Sequence, residues 1–410
     1  MRNNINFIVG GVARNADNCF HHSYVVEIST LLENDNVLLL SPRRTGKTSL
    51  MYRLLDHPEN NQKVIHLNVE AFETAAEFYL SLLGALHEFQ PVYVKKLLSV
   101  RRTVKNILPT IKEIKVIGFK IKLRKTVGRN WQKLANELMD KIIDSGESIL
   151  FIIDEFPDFL NKMLQKDKEE VSAFLHHFRQ LRLNPKANKI RWLIAGSVNI
   201  RGVLGEQNLL QFINDFKIET LPVIKEEEVN KFIGNMLAAR GITFDESVIK
   251  QMMKLLGEPM PYFLQLFTQE LCLHCRRKEI NEISTTTVNL IFNTVLLGQS
   301  AQDQLQHYHS RIKGYYPQNM QESSHYLLDI LSQSDIGISK QQLFSEYLQY
   351  RQKQATYGEI NINTQEAENL FKKILLRLES DFYIGKKHHD KYLFKSHLIK
   401  LWWRQNWAQL

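Results

Sequence analysis

Five short runs rich in Val, Ile and Leu punctuate the first 223 residues, at 37–40, 63–69, 148–153, 190–195 and 216–223. Longer segments between them carry apolar positions at helical spacing. Continuous apolar runs suit strands buried on both faces, and their alternation with helices predicts parallel strands joined by crossover helices. The expected fold class is α/β, a three-layer parallel-sheet domain over residues 1–224.

Beyond residue 224 the strand signals stop. Residues 225–300 read as amphipathic helices interrupted near Gly241 and between Gly257 and Pro261, a small helical domain. A polar connector is expected at 301–321. The last segment, 322–410, predicts helices at 325–331, 340–352 and 366–378, then two short strands around the turn that holds Lys387, His388, His389 and Asp390. Three helices followed by a hairpin describe a winged helix. Between the second and third runs lies a long excursion in which Phe119, Ile121 and Leu123 alternate with Lys120, Lys122 and Arg124. That alternation predicts an inserted ribbon or edge strand with one apolar and one cationic face.

Composition narrows the class. A length of 410 residues suits two or three domains, and 44% hydrophobic with 24% charged residues excludes wholesale disorder. The chain contains no uncharged apolar stretch of roughly 18 residues and opens without a long apolar segment, so a cytoplasmic protein with no membrane partner is expected. Cys19, Cys272 and Cys275 are too few and odd in number for a disulfide framework, which fits a reducing compartment. The net charge of +9 is uneven: residues 95–129 hold twelve Lys or Arg against Glu113 alone, leaving −2 for the rest. Such a block is either the footprint of a polyanion site or a solvated surface.

The candidate chemistry starts at Ser41-Pro42-Arg43-Arg44-Thr45-Gly46-Lys47-Thr48-Ser49, directly after the first strand and before a helical pattern. This is the position of a phosphate-binding loop, where backbone N–H groups and the helix N-terminus face phosphate and Gly46 allows close approach. Lys47 is placed for the β- and γ-phosphates of ATP and Thr48 for Mg²⁺. Ser41 stands where the motif ordinarily begins with glycine. The run 149–155 ends in Asp154 and Glu155, at the strand edge where open parallel sheets bind ligands. Asp154 is expected to hold Mg²⁺, and Glu155 to orient or deprotonate an attacking water, which makes the chain an ATPase. The fourth run ends in Ala195-Gly196-Ser197; Ser197 is either a γ-phosphate sensor or a plain turn residue. Arg201 is read either as an arginine finger or as a surface cation. Cys272 and Cys275, on a helical pattern without two further ligands, read as buried cysteines, and His176 and His177 as structural.

Taken together, Pro42 to Leu50, Ile153-Asp154-Glu155-Phe156-Pro157, Ala195-Gly196-Ser197, Asn214-Asp215, Pro261-Tyr262-Phe263-Leu264-Gln265 and the closing stretch from Phe394 to Trp403 resemble archaeal-type P-loop ATPases of the AAA/STAND group. The resemblance implies an ATPase domain, a helical lid that reports nucleotide state, and a C-terminal winged helix. It further implies Mg²⁺-dependent ATP binding, a polar sensor at Ser197, and tolerance of a small residue at position 41. The chain departs from the pattern in reading Phe20-His21-His22-Ser23-Tyr24 where the family carries an Arg-Glu element.

The expected function is a nucleotide-dependent switch. Double-stranded DNA, bound with low sequence preference, is one partner class, motivated by residues 95–129, by Lys372, Lys373 and Arg377 on the third terminal helix, and by the basic turn from Lys386 to Lys391. The alternative is a signalling scaffold whose winged helix contacts a protein or a second copy of the chain. A nucleotide kinase would share the loop but leaves the terminal domain without a role.

Overall fold

The computed structural model describes residues 7–14, 20–58, 62–89, 130–197, 200–356, 364–387 and 390–408. The basic stretch 95–129 and its expected ribbon lie outside them. The chain divides into two compact units: one comprises His21–Ser41 with Lys47–Leu221, the other Met1–Phe20, Pro42–Gly46 and Pro222–Leu410.

The first unit holds five parallel strands, β1 (Asn36–Leu40), β2 (Lys63–Asn68), β3 (Ile149–Asp154), β4 (Ile190–Gly196) and β5 (Phe216–Thr220), in the order β2-β3-β4-β1-β5. Each corresponds to one of the five apolar runs. Successive residues of β1 enter different cores, Val37 and Leu39 one, Leu38 and Leu40 the other, so the sheet is covered on both faces. Helices α1 (His22–Asn34) and α2 (Lys47–Asp56) supply the smaller layer, through Ile28, Leu32, Leu50, Met51 and Leu54. The larger layer is built by α3 (Ala75–Phe89), α4 (Trp131–Ser145), α5 (Phe156–Lys166) and α6 (Lys168–Arg182), with Phe78, Phe156, Phe159, Phe174 and Phe178 in one aromatic cluster. His177 belongs to this packing: its Nδ1 lies 3.3 Å from the Tyr79 hydroxyl and its Nε2 2.9 Å from Asn136 Oδ1, and burial pushes its pKa down.

Entry into β5 is fixed by a buried ion pair. Arg182 donates through Nε and Nη2 to the two Asp215 oxygens, each at 2.8 Å, and its guanidinium lies between the Phe178 and Phe216 rings. A planar cation bonded at its edge and stacked on both faces is the arrangement that best offsets the cost of burying it.

The second unit continues with α7 (Glu226–Ala238), α8 (Glu246–Leu256), α9 (Pro261–Lys278) and α10 (Thr285–Ile291). Gly241 and Gly257, both at positive φ, follow the first two of these helices. Cys272 and Cys275 are free and buried on α9, and burial raises the Cys272 thiol to about 11. The stretch expected as a polar connector is the helix α11 (Gln299–Tyr315), followed by α12 (Gln318–Gln333). Ala301, Leu305, Tyr308 and Ile312 form the buried stripe of α11, a helical period masked in the sequence by the Gln, His and Asp residues around it.

The chain ends in α13 (Lys340–Thr356), α14 (Thr364–Ser380), a three-stranded sheet and α15 (His397–Asn406). The sheet runs Ile338–Ser339, Lys391–Phe394, Ile384–Lys387 in spatial order, with antiparallel pairing. One reading from charge needs correction here. Arg377, expected with Lys372 and Lys373 to offer charge to phosphate from the third terminal helix, is only 4% exposed, bonded to Asp381 at 3.1 Å and placed over the Tyr316 ring. It stands at the border of the buried stripe formed by Ala367, Phe371, Ile374, Leu375 and Leu378, and the paired carboxylate makes its burial tolerable.

Candidate functional site

Strand register brings the candidate residues together in the first unit. Leu40 of β1 pairs with Gly196 of β4, and Asn68 of β2 pairs with Asp154 of β3, so the carboxyl ends of the strands reach one edge of the sheet. Ser41, Asp154 and Ser197 are the residues at or just beyond those ends.

Ser41 is buried, and its hydroxyl accepts the Leu221 N–H at 2.9 Å, tying the base of the loop to the chain leaving β5. The side chain in place of glycine thus has a structural partner. Lys47 opens α2 and is 6% exposed; its Nζ donates to the Ser41 carbonyl at 2.6 Å. The Thr48 hydroxyl lies 3.4 Å from Asp154 Oδ2, and the Glu155 N–H donates to Asp154 Oδ1 at 2.9 Å.

Asp154 is 3% exposed, and its pKa is pushed up from 3.8 to about 6. Burial is the main cause and the neighbouring Glu155 charge the second; Lys47, the Glu155 amide and Thr48 act in the opposite direction. The carboxylate is therefore short of compensating positive charge where a hydroxyl oxygen stands beside it. Carboxylate and hydroxyl oxygens are hard donors of the kind Mg²⁺ takes, so Thr48 and Asp154 fit that ion.

Glu155 has left-handed backbone geometry, φ 56°, at the N-cap of α5. Its Oε2 accepts from both the backbone N–H (3.2 Å) and the hydroxyl (3.1 Å) of Ser197. This pairing depends on Gly196: a Cβ there would lie 2.3 Å from Pro157 Cδ, in the first turn of α5. Only glycine lets β4 approach Pro157 closely enough for Ser197 to reach Glu155.

The sequence nominated each of these residues singly but gave no sign of the Ser197–Glu155 pair, which joins positions 42 residues apart. It also passed over Asn68, the polar end of β2 beside Asp154; a polar residue ending an apolar strand is the signal that singled out Asp154 and applies equally to it. Arg201 lies exposed on a short helix, Ile200–Gly205.

The tip of the loop, Pro42–Gly46, groups with the second unit. Arg44 and Gly46 have positive φ, 74° and 94°. The Arg44 guanidinium lies 4.4 Å from the centroid of the Tyr262 ring, and its carbonyl accepts the Tyr262 N–H at 3.4 Å.

No protein-family model and no curated protein sequence matches the chain. Among solved structures it is similar to the Aeropyrum pernix ORC2 protein in its ADPNP–ADP complexes, at TM-score 0.57 and 12% identity, over 98% of this chain and 94% of that one. It also aligns with the Thermotoga maritima RuvB Holliday junction branch migration motor (TM-score 0.41, 12% identity, 93% and 94% covered). A third alignment is with domain III of the Thermotoga maritima replication initiation protein DnaA (TM-score 0.37, 14% identity, 69% and 98% covered). The last two superpose too loosely to carry an argument. The likeness to ORC2 is one of fold alone: the chain shares with that protein an α/β architecture, here built on a five-stranded parallel sheet.

Proposed function

We propose that the chain is an ATP-binding and ATP-hydrolysing switch of the archaeal AAA/STAND type, with a helical lid over about 225–300 and a C-terminal winged helix over about 322–410. The observation that carries this reading is the gathering of Lys47, Thr48, Asp154, Glu155 and Ser197 beyond the sheet edge, with Asp154 held as a buried carboxylate short of countercharge. Lys47 leaves the Ser41 carbonyl for the phosphates, and the loop from Ser41 to Ser49 presents backbone N–H groups to them. Thr48 and Asp154 hold Mg²⁺, which supplies neutralisation of charge on the phosphate oxygens. Glu155 orients and deprotonates the attacking water, and Ser197 donates either to Glu155 or to the γ-phosphate.

Mg-ATP at a hundredfold excess over its dissociation constant should stabilise the protein by about 2.7 kcal/mol and raise its melting temperature by several degrees. Lys47→Ala should abolish that shift, and Glu155→Gln should keep it while slowing turnover. An equal shift in wild type and Lys47→Ala would remove the loop assignment.

For the output, one observation favours a protein partner over duplex DNA. Among the cations of α14, Arg377 is internal, Lys372 is bonded to Glu368 at 2.6 Å and Lys373 is exposed, while Leu376 on the same helix is 62% exposed. That helix therefore offers phosphate less free charge than its composition suggests.

A further inference from the structure

The second unit contains a chain of contacts from the tip of the phosphate loop to the terminal hairpin. Tyr308 of α11 is fully packed in the core of this unit, and its hydroxyl lies 3.4 Å from the Arg43 carbonyl and 3.4 Å from Met260 Sδ. The Tyr308 carbonyl in turn accepts the hydroxyl of Tyr383 at 2.5 Å. Tyr383 precedes the hairpin strand Ile384–Lys387, and its ring meets those of Tyr308 and Trp403 edge-on, at 6.2 and 6.4 Å between centroids. One tyrosine thus touches the loop with its hydroxyl and the terminal segment with its backbone.

Both hydroxyls are buried, where a hydrogen bond left unmade is costly, so each has reason to keep its acceptor. Burial raises the Tyr308 pKa to about 12 and that of Tyr383 further, so both remain donors throughout the physiological range. The loop they hold is not relaxed. Arg44 is a non-glycine residue at φ 74°, a conformation that persists when surrounding contacts over-determine it. The Tyr262 N–H and ring hold Arg44 itself, and Tyr308 holds the carbonyl immediately before it.

We propose that Tyr308 and Tyr383 are positioning residues forming a relay through which the terminal helix-and-hairpin segment sets the conformation of the phosphate loop, and with it nucleotide affinity. The relay rests on the nucleotide-binding reading above and adds to it the residues that join loop and output. Neither tyrosine touches substrate. Movement of the hairpin withdraws the Tyr383 donor from α11, and α11 carries the Tyr308 hydroxyl off the Arg43 carbonyl. By reciprocity, a ligand that changes the loop biases the hairpin by the same factor.

The test uses the full chain and the variants Tyr308→Phe, Tyr383→Phe, their double, Lys47→Ala, and Tyr347→Phe as a buried-tyrosine control in the same core. Binding of a non-hydrolysable Mg-ATP analogue is titrated, and amide hydrogen exchange of the segment 41–48 is followed without nucleotide. Each relay variant should weaken binding about fivefold, the factor expected for one net hydrogen bond. The double variant should be little worse than either single one, because the two bonds act in series. Tyr383→Phe should also speed exchange in 41–48, although Tyr383 makes its bond to α11 and not to the loop. Tyr347→Phe should change neither readout. Wild-type binding lost only in Lys47→Ala, with Tyr383→Phe matching wild type in affinity and exchange, overturns the relay and leaves the nucleotide reading intact. Wild-type protein that binds no analogue removes the nucleotide reading, and the exchange arm then decides the relay alone: unchanged exchange in Tyr383→Phe overturns it.

Discussion

Replacing Asp154 by Asn should reverse its effect on stability between acid and neutral pH. The Asp154 carboxyl titrates at about 6 in the folded chain against an ordinary 3.8. At roughly 1.4 kcal/mol per pH unit, keeping it ionised costs the fold about 3 kcal/mol above pH 6. Because the folded-state pKa is raised, the folded protein binds the proton more tightly than the unfolded chain does. Stability without ligand therefore falls as pH rises from about 4 through 6 and levels off above. An amide at position 154 escapes that cost but serves one of the two donors, Thr48 and the Glu155 N–H, less well, a loss of about 1 kcal/mol. Asp154→Asn should accordingly be about 2 kcal/mol more stable than wild type at pH 7.5 and about 1 kcal/mol less stable near pH 4. Native-state hydrogen exchange in β1 and β3, with chelator present, reports the first unit alone and avoids averaging over two units. Saturating Mg-ATP at pH 7.5 should reverse the order, since only the wild-type carboxylate gains the ion. A stability difference between the two proteins that stays constant from pH 4.5 to 7.5 would refute the argument that Asp154 is a desolvated, undercompensated carboxylate.

Three other outcomes are expected. Gly196→Ala should lower stability by about 1–3 kcal/mol and slow ATP turnover, through the 2.3 Å approach to Pro157; adding Pro157→Ala should restore part of both, as read by melting temperature and phosphate release. Arg182→Met should cost about 3 kcal/mol by leaving Asp215 with only its longer 3.7 Å contact to Arg179, and Arg182→Met with Asp215→Asn should cost less than the single change in urea denaturation. If duplex DNA is bound through about five phosphates, log affinity against log salt should have a slope near −4 to −5, and charge reversal at Lys120, Lys122 and Arg124 should weaken binding to all duplexes alike. No duplex binding at about 50 mM salt, with or without ATP, would leave the protein-partner reading.

Elements whose burial follows directly from side-chain period were legible in the chain. All five sheet strands coincide with apolar runs; the inner strands β1, β3 and β4 are covered on both faces and need apolar residues at nearly every position, whereas the edge strand β5 is largely exposed and admits Lys217 and Glu219. The candidate loop Ser41–Ser49 and the Asp154-Glu155 strand end stand out in the sequence for a related reason: both lie at strand termini, where composition changes abruptly. The helix α11 was not. Its buried stripe includes an alanine and a tyrosine among polar neighbours, and only the partner surfaces in the second unit make those positions internal. Arg377 shows the same limit from the other side, since its charge suggested phosphate contact and Asp381, one helical turn on, receives it inside.

By itself, then, the sequence determined the α/β class, the strand set and the candidate residues proposed to bind phosphate and a divalent ion, because local period and residue chemistry are properties of short segments. Tertiary structure decided what those residues do to one another. The strand order β2-β3-β4-β1-β5 is not readable from spacing, yet it sets β3 beside β4 and brings Ser197 onto Glu155. Burial of Asp154 and of the Tyr308–Tyr383 pair likewise depends on elements distant in the chain. Desolvation, hydrogen-bond partnership and close approach are pairwise quantities, and they come into existence only when the chain has folded.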